Sequence, residues 1–409
     1  MYDVNIKKSI LKGEISAPPS KSVSHRYLIG AALTKDKIRI NNIAYSDDIK
    51  ATIKSLKALG CSINEGEDFI DIDAANFLNK NDNLDANESG STLRFMIPLC
   101  LIDGKERIIE ASEVLLTRPL DEYIKLCEEN TKNDSECKIE IDKKFVKVKG
   151  RLNKTKYELS SALSSQFITG MIFALCYLRK ESDIELIGDI NSKSYIDMTI
   201  DVLNEIGFNI KWSNENSIHI SEDFKLKNNI FTIEGDYSNA AFLDAFNMVN
   251  KDNDVKVLGL NNDSKQGDKI YKKYFNDIIN STPTLDVNDC PDLAPILIAL
   301  STICNGAKLI GTKRLKIKES DRSLSMKNEL KKIGADIEVK ENEIIVYKSN
   351  IKTPIETINS HNDHRIVMAM SVLLSKVGGK IINANAVNKS YPEFFNDIKK
   401  LGANVDIAE

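Results

Sequence analysis

The chain has 409 residues, 42% of them hydrophobic, with 56 Lys and Arg against 60 Asp and Glu and a formal net charge of -4. One hydrophobic core seldom serves so long a chain, so two domains are expected; the apolar fraction excludes a disordered chain, and the charge balance excludes recruitment of nucleic acid by a global basic field. The opening residues lack a secretory apolar run, no stretch reaches membrane-spanning length, and the seven cysteines show neither metal nor redox spacing, which together point to a cytoplasmic protein with mostly buried thiols.

From the N-terminus onward, two kinds of helix alternate. Pro19-Ser20-Lys21-Ser22-Val23-Ser24-His25-Arg26 opens an apolar helix over 27–33, and an amphipathic helix with Ile49, Ile53 and Leu56 then stops at Gly60. Glu88-Ser89-Gly90-Ser91-Thr92 opens a second apolar helix over 93–99, followed by a weaker amphipathic copy over 120–129. Ser164-Ser165-Gln166 opens the third, over 167–175, and the helix of Ile196, Ile200 and Leu203 stops at Gly207. Gly235-Asp236-Tyr237-Ser238-Asn239 precedes the fourth, over 240–246, with another weak copy at 270–279. Pro291-Asp292 opens the fifth, over 293–300; Met326, Leu330 and Ile333 precede Gly334 and an alternating strand at 335–339. Asn362-Asp363-His364-Arg365 opens the sixth, over 366–374, and Phe394, Ile398 and Leu401 precede Gly402 and a strand at 403–407. Apolar steps of four and three mark one helical face, and the glycines suit left-handed caps.

With Lys21, Ser91, Ser165, Ser238, Asp292 and Asp363 as markers, the repeat steps are 70, 74, 73, 54 and 71 residues. Six repeats, each with one buried helix, one half-exposed helix and short strands, predict an α/β architecture of two pseudo-three-fold lobes. The step of 54 marks a repeat that is abbreviated or circularly broken. A linear solenoid is the alternative, but it would spread the polar loops along one edge.

Each helix start offers unpaired N–H groups and a dipole that favours an anion. Lys21, Arg26 and Arg365 add fixed charge there, and Arg94, Arg118, Arg314, Lys318, Arg322 and Lys389 sit in other marked turns. A single arginine in a turn is ordinarily a solvated residue. If the helix starts of both lobes face one cleft, however, these groups form a pocket for small anions bearing phosphate and carboxylate. Neither a nucleotide phosphate loop nor a dinucleotide fingerprint is present, and His25 and His364 lack the spaced partners of a metal site.

The ordered set Pro18-Pro19-Ser20-Lys21-Ser22, Ser46-Asp47-Asp48, Glu88-Ser89-Gly90-Ser91-Thr92-Leu93-Arg94, Thr117-Arg118-Pro119-Leu120, Ser164-Ser165-Gln166-Phe167, Ser192-Lys193-Ser194-Tyr195, Gly235-Asp236-Tyr237-Ser238, Pro291-Asp292, Lys318-Glu319-Ser320-Asp321-Arg322, Asn362-Asp363-His364-Arg365 and Lys389-Ser390-Tyr391-Pro392 resembles the 3-phosphoshikimate 1-carboxyvinyltransferase (EPSP synthase) family over essentially the full length. The resemblance implies an enolpyruvyl-transferase-type α/β fold with three β-α-β-α-β-β units in each of two lobes. It places residues 15–226 in a lower lobe, mainly on the shikimate 3-phosphate side. Residues 1–14 and 227–409 form an upper lobe with the catalytic carboxylates and much of the phosphoenolpyruvate site.

It also implies roles. Shikimate 3-phosphate would be held by Lys21, Ser22, Arg26, Ser164, Ser165, Gln166, Ser192, Tyr195, Asp292, Arg314 and Lys318. Phosphoenolpyruvate would be held by Lys21, Gly90, Arg118, Gln166, Arg322, Arg365 and Lys389. Asp292 would act as base on the acceptor hydroxyl, with Glu319, or Lys21, as proton donor to the methylene. No cofactor or metal is called for, and the partners are these two substrates, with no nucleic acid, no membrane and a monomeric chain. Pro19 stands where the family commonly has glycine, and Glu88-Ser89 where it commonly has asparagine-alanine. A UDP-N-acetylglucosamine enolpyruvyl transferase is the nearest rival, and a non-enzymatic anion- or RNA-binding module the rival from another class. The first is disfavoured by Lys21-Ser22 and by the absence of cysteine over 111–117.

Overall fold

A computed structural model of the protein describes residues 2–131, 137–160 and 164–408. The six apolar runs are buried helices: Lys21–Thr34, Gly90–Cys100, Ser165–Leu178, Tyr237–Asp244, Ala294–Ile303 and His364–Val377. Five begin before their apolar runs do, because the polar loop supplies both cap and first turn. Side-chain oxygens of Ser20, Ser89, Ser164, Asp236 and Asp363 accept the N–H groups of Val23, Thr92, Gln166, Asn239 and Arg365. The exception, Ala294–Ile303, is entered through the turn at Pro291-Asp292, with a proline in its first turn. Lys21, Gly90, Arg94, Gln166 and Arg365 therefore ride on rigid, buried helices.

The amphipathic helices are Asp47–Ala58, Lys193–Ile206, Arg322–Lys332 and Phe394–Lys400, and the weaker copies are Asp121–Thr131 and Tyr271–Asn280. Gly60, Gly207, Gly334 and Gly402 follow the first four, all at positive φ. At Gly207 a Cβ would stand 2.0 Å from the Lys225 carbonyl oxygen, an approach that only glycine permits.

Among the described residues, five four-stranded sheets and one two-stranded sheet accompany these helices. In the four-stranded pattern, Lys156–Ser160 runs parallel to Ser182–Ile187, which is antiparallel to Ser217–Phe224, itself paired with Phe208–Asn214. A parallel pair needs a crossover, which the apolar helix provides; with the amphipathic helix before the hairpin, this is a β-α-β-α-β-β repeat. The two-stranded sheet, Lys12–Ser16 parallel to Asp254–Leu258, belongs to the repeat with the short step. Only residues 281–283 separate the helix Tyr271–Asn280 from the strand Thr284–Asp286, so that repeat has no chain for a hairpin.

The chain divides into a continuous domain, Pro19–Ile233, and a split domain, Met1–Pro18 with Glu234–Glu409. Each has its own core, in which its apolar helices pack together. The passages at 18/19 and 233/234 fall later than residues 14 and 226 because of an exchange of strands. Lys12–Ser16 precedes the helix Lys21–Thr34 in the chain yet pairs with Asp254–Leu258, whereas Ile230–Thr232 precedes Tyr237–Asp244 yet pairs with Lys37–Asn41. In addition, Asp3–Ile6 lies between Gly379–Ile382 and Val405–Ala408 in one sheet of the split domain. No helix of the described residues is long and apolar enough to cross a membrane.

Candidate active site

The residues singled out in the sequence fall into two groups, one within each domain. In the continuous domain, Lys21 Nζ reaches Asp48 Oδ2 at 2.8 Å, both side chains being largely buried. Arg26 is also buried. Its Nε donates to Thr199 Oγ1 at 2.8 Å, Nη1 to the Ser22 carbonyl at 2.6 Å and Nη2 to the Tyr195 carbonyl at 2.8 Å. It thus ties together two other candidates, Ser22 and Tyr195. Burial pushes the Arg26 guanidinium down to about 10, which leaves it charged at neutral pH. Ser192 stands before the helix Lys193–Ile206 at φ 57°, in the left-handed region.

Gly90 opens its helix where a Cβ would lie 3.2 Å from both Arg94 Nη1 and Arg118 Nη1, so the missing side chain leaves room for two guanidinium groups. Arg94 Nη1 donates to Gln166 Oε1 at 2.7 Å, and Gln166 Nε2 donates to Ser91 Oγ at 3.0 Å. Buried Arg118 Nε has no hydrogen-bond partner among the described residues. Ser164 caps the helix that begins with Ser165 and Gln166. Gly90, Arg118 and Gln166 are therefore brought together through Arg94, which the sequence counts among the anion-pocket cations but assigns to neither substrate.

In the split domain the centre is Arg322, which is 1% exposed. Its Nε donates to Asp363 Oδ2 at 3.0 Å, Nη1 to Asp292 Oδ1 at 2.8 Å and Nη2 to Glu319 Oε2 at 2.7 Å. Arg365 Nη2 donates to Asp292 Oδ2 and to Ser238 Oγ, each at 2.9 Å. Lys318 Nζ stands 3.7 Å from Asp292 Oδ1. Lys389 Nζ donates to the Asn362 carbonyl at 2.6 Å. Asp292, Lys318, Glu319, Arg322 and Arg365 thus form one network, with Asp363 as an unforeseen member that also caps the helix His364–Val377. The other partners to which the sequence gave no role are Asp48, which lies in the motif Ser46-Asp47-Asp48, and Thr199, which nothing local distinguishes because its partner Arg26 comes from a distant helix.

Burial pushes the Asp292 carboxyl up, but Arg365, Lys318 and Arg322 outweigh it and hold Asp292 well below the usual carboxylate range. Burial pushes Lys318 down to about 8, opposed by Asp292 and reinforced by Arg322 and Arg314. Burial also works against charge on Arg322, yet Asp363, Glu319 and Asp292 hold it well above its ordinary value. Arg365 Nε and Nη1 are buried and have no hydrogen-bond partner among the described residues, so they keep donors of the kind a carboxylate or phosphate accepts. The arrangement joins an ionised carboxylate to cations able to take an anionic substrate.

Comparison with known proteins agrees with this chemistry. The sequence profile of the family described as EPSP synthase (3-phosphoshikimate 1-carboxyvinyltransferase) matches residues 6–398. The chain is 37% identical to the 3-phosphoshikimate 1-carboxyvinyltransferase of Clostridium novyi (strain NT) and 36% identical to that of Clostridium kluyveri, with 99% of both chains covered in each case. Among solved structures it is similar to an EPSP synthase from Acinetobacter baumannii, with a TM-score of 0.80 at 20% identity and complete coverage of both chains. It is also similar to the enolpyruvyl transferase NikO from Streptomyces tendae, with a TM-score of 0.75 at 12% identity, covering 100% of this chain and 98% of the other. At such identities these two likenesses speak for the fold alone.

Proposed function

The chain belongs to the EPSP synthase family of enolpyruvyl transferases, and from that premise we propose that it moves the enolpyruvyl group of phosphoenolpyruvate to the 5-hydroxyl of shikimate 3-phosphate, releasing phosphate. The observation that carries the reading is the Asp292 carboxylate held by Arg322, Arg365 and Lys318 at the entry to a buried helix. Lys21-Ser22 and the cysteine-free stretch 111–117 favour this acceptor over UDP-N-acetylglucosamine. Relatives that align over 99% of the chain bear the name of the same activity.

In the addition step the acceptor oxygen bonds to C2 of phosphoenolpyruvate, its proton passes to Asp292, and the methylene carbon takes a proton from Glu319 or Lys21. The product is a tetrahedral phospho-ketal. Elimination returns a methyl proton to the group that donated it and breaks the C–O bond to phosphate, which departs with the proton held on Asp292, and the double bond is restored. A carboxylate gripped by two arginines is a weak base. Substrate anions that draw donors of Arg322 and Arg365 to themselves lessen the positive field on Asp292 and raise its proton affinity. The arginines keep their charge throughout and stabilise the anionic intermediate.

The serine-marked helix starts of the continuous domain, with Asp292, Arg314 and Lys318, are assigned to shikimate 3-phosphate. Arg26 serves that site by holding Ser22 and Tyr195. Lys21, Gly90, Arg118, Gln166, Arg322, Arg365 and Lys389 are assigned to phosphoenolpyruvate. The direct test mixes the protein with phosphoenolpyruvate and shikimate 3-phosphate and follows phosphate release. Release only when UDP-N-acetylglucosamine replaces the shikimate compound would overturn the assignment.

A further inference from the structure

We propose that Glu329, about two helical turns beyond Arg322, is a positioning residue that fixes the turn from which Arg365 and Lys389 receive their placement. The inference rests on the assignment of those two cations to phosphoenolpyruvate.

The helix Arg322–Lys332 grips the segment 357–363 at two points. At the helix start, Arg322 Nε holds Asp363 Oδ2 at 3.0 Å. Toward its end, the Glu329 carboxylate, 1% exposed, accepts His361 Nε2 at 2.7 Å on Oε1, and the Asn359 N–H and Lys332 Nζ at 2.8 Å each on Oε2. Lys332 Nζ also donates to the Thr357 carbonyl at 2.9 Å. A carboxylate buried so fully requires donors of this kind, and two of its three come from the segment it holds.

Between the two anchor points lie His361 and Asn362, consecutive non-glycine residues at φ 50° and 53°. Left-handed backbone of this kind persists where its surroundings over-determine it. Bonds from the His361 N–H to Asn359 Oδ1 at 2.8 Å and from the Asn362 N–H to Ser360 Oγ at 3.2 Å set the internal shape of the turn. Glu329 does something else: it fixes that shape to the helix bearing Arg322.

The turn in turn places the cations. Its Asn362 carbonyl accepts Lys389 Nζ at 2.6 Å, its next residue, Asp363, caps the following helix, and Arg365 stands in the first turn of that helix. If the turn drifts, Lys389 and Arg365 move together, while residues assigned to shikimate 3-phosphate such as Ser164 and Ser192 are placed by other helices, those over Ser165–Leu178 and Lys193–Ile206.

Kinetics of Glu329→Gln and His361→Asn test the proposal; asparagine tolerates the left-handed turn but is too short to reach Glu329. Each variant is expected to raise the phosphoenolpyruvate KM about tenfold, with kcat within about twofold and the shikimate 3-phosphate KM unchanged. The double variant should be no worse than either single one, and His361→Gln, whose amide nitrogen can stand near the Nε2 position, should restore the KM. An unchanged phosphoenolpyruvate KM, a double variant whose effects multiply, or equal rises for both substrates would overturn the proposal. Should Glu329→Gln fail to fold, His361→Asn and its rescue decide the question alone. If the wild-type protein shows no turnover with shikimate 3-phosphate, the acceptor assignment fails. Hydrogen exchange then decides for Glu329: faster exchange confined to 359–365 in the variants supports its role, and unchanged exchange there ends it.

Discussion

Arg322 and Asp292 meet at 2.8 Å, Nη1 to Oδ1, while the other edges of the same guanidinium hold Asp363 and Glu319. Arg322→Met would leave the fully buried Asp363 carboxylate without its cation, at a cost of about 3–5 kcal/mol. Urea unfolding measures the loss. Arg322→Lys should recover little of it, because one ammonium cannot span three carboxylates.

If Glu319 delivers the proton to the methylene, Glu319→Gln lowers kcat by about 10²–10⁴-fold with the fold retained. Asp292→Asn should do the same at the acceptor hydroxyl. Steady-state phosphate release reads both, and turnover undiminished in Glu319→Gln would transfer that role to Lys21.

Lys318 titrates at about 8, so its charge is present below that pH and fades above it. The shikimate 3-phosphate KM should therefore rise as pH passes upward through about 8, and Lys318→Arg should move that limb to higher pH. The stability sign is opposite. Because the folded value lies below the ordinary lysine value of 10.5, the folded protein binds fewer protons than the unfolded chain between the two, and this lysine makes stability increase with pH there. Thermal unfolding across the same range checks it.

Gly90→Ala would put a methyl 3.2 Å from the Nη1 atoms of Arg94 and Arg118. Both are flexible side-chain ends, so the protein should fold with little loss of Tm. The displaced guanidinium groups should raise the phosphoenolpyruvate KM and leave the shikimate 3-phosphate KM nearly constant.

Trp212 is the chain's one tryptophan, and the Lys193 ammonium sits 3.5 Å from its ring centroid, in the first turn of the helix that follows Ser192. Its Nε1 donates to Asp197 Oδ1 at 2.7 Å. Shikimate 3-phosphate binding near Ser192 and Tyr195 should shift its fluorescence, and phosphoenolpyruvate alone should not. No spectral change at saturating shikimate 3-phosphate would remove Ser192 and Tyr195 from that site.

The buried helices were legible because an apolar run behind a polar loop has few other uses, and the short repeat step marked an abbreviated repeat, which proves to be the one with the two-stranded sheet. The strand exchange was hidden from periodicity, and only the family resemblance joined the N-terminal residues to the C-terminal half. Lys12–Ser16 is mostly exposed and carries no apolar alternation, and its partner Asp254–Leu258 lies far along the chain. Asp292, Glu319, Arg322 and Arg365 were legible as charged turn residues, but a turn arginine reads alike whether solvated or buried. Here Arg26, Arg94, Arg322 and Arg365 are all buried, against the ordinary expectation for such residues. Glu329 looks in sequence like a surface partner of Lys332 three residues on; its bonds to His361 and Asn359 arise only from tertiary packing.

The strand exchange also dictates when a chain leaving the ribosome can finish folding. Residues 19–233 are contiguous and can close once Ile230–Thr232 emerges beside Lys37–Asn41. Lys12–Ser16 must wait for Asp254–Leu258, and Asp3–Ile6 for Val405–Ala408, so two of the earliest strands stay as open edges through much of translation. Lys7, Lys8 and Lys12 stand beside or within those strands, charges that keep the waiting edges from pairing with a neighbouring nascent chain.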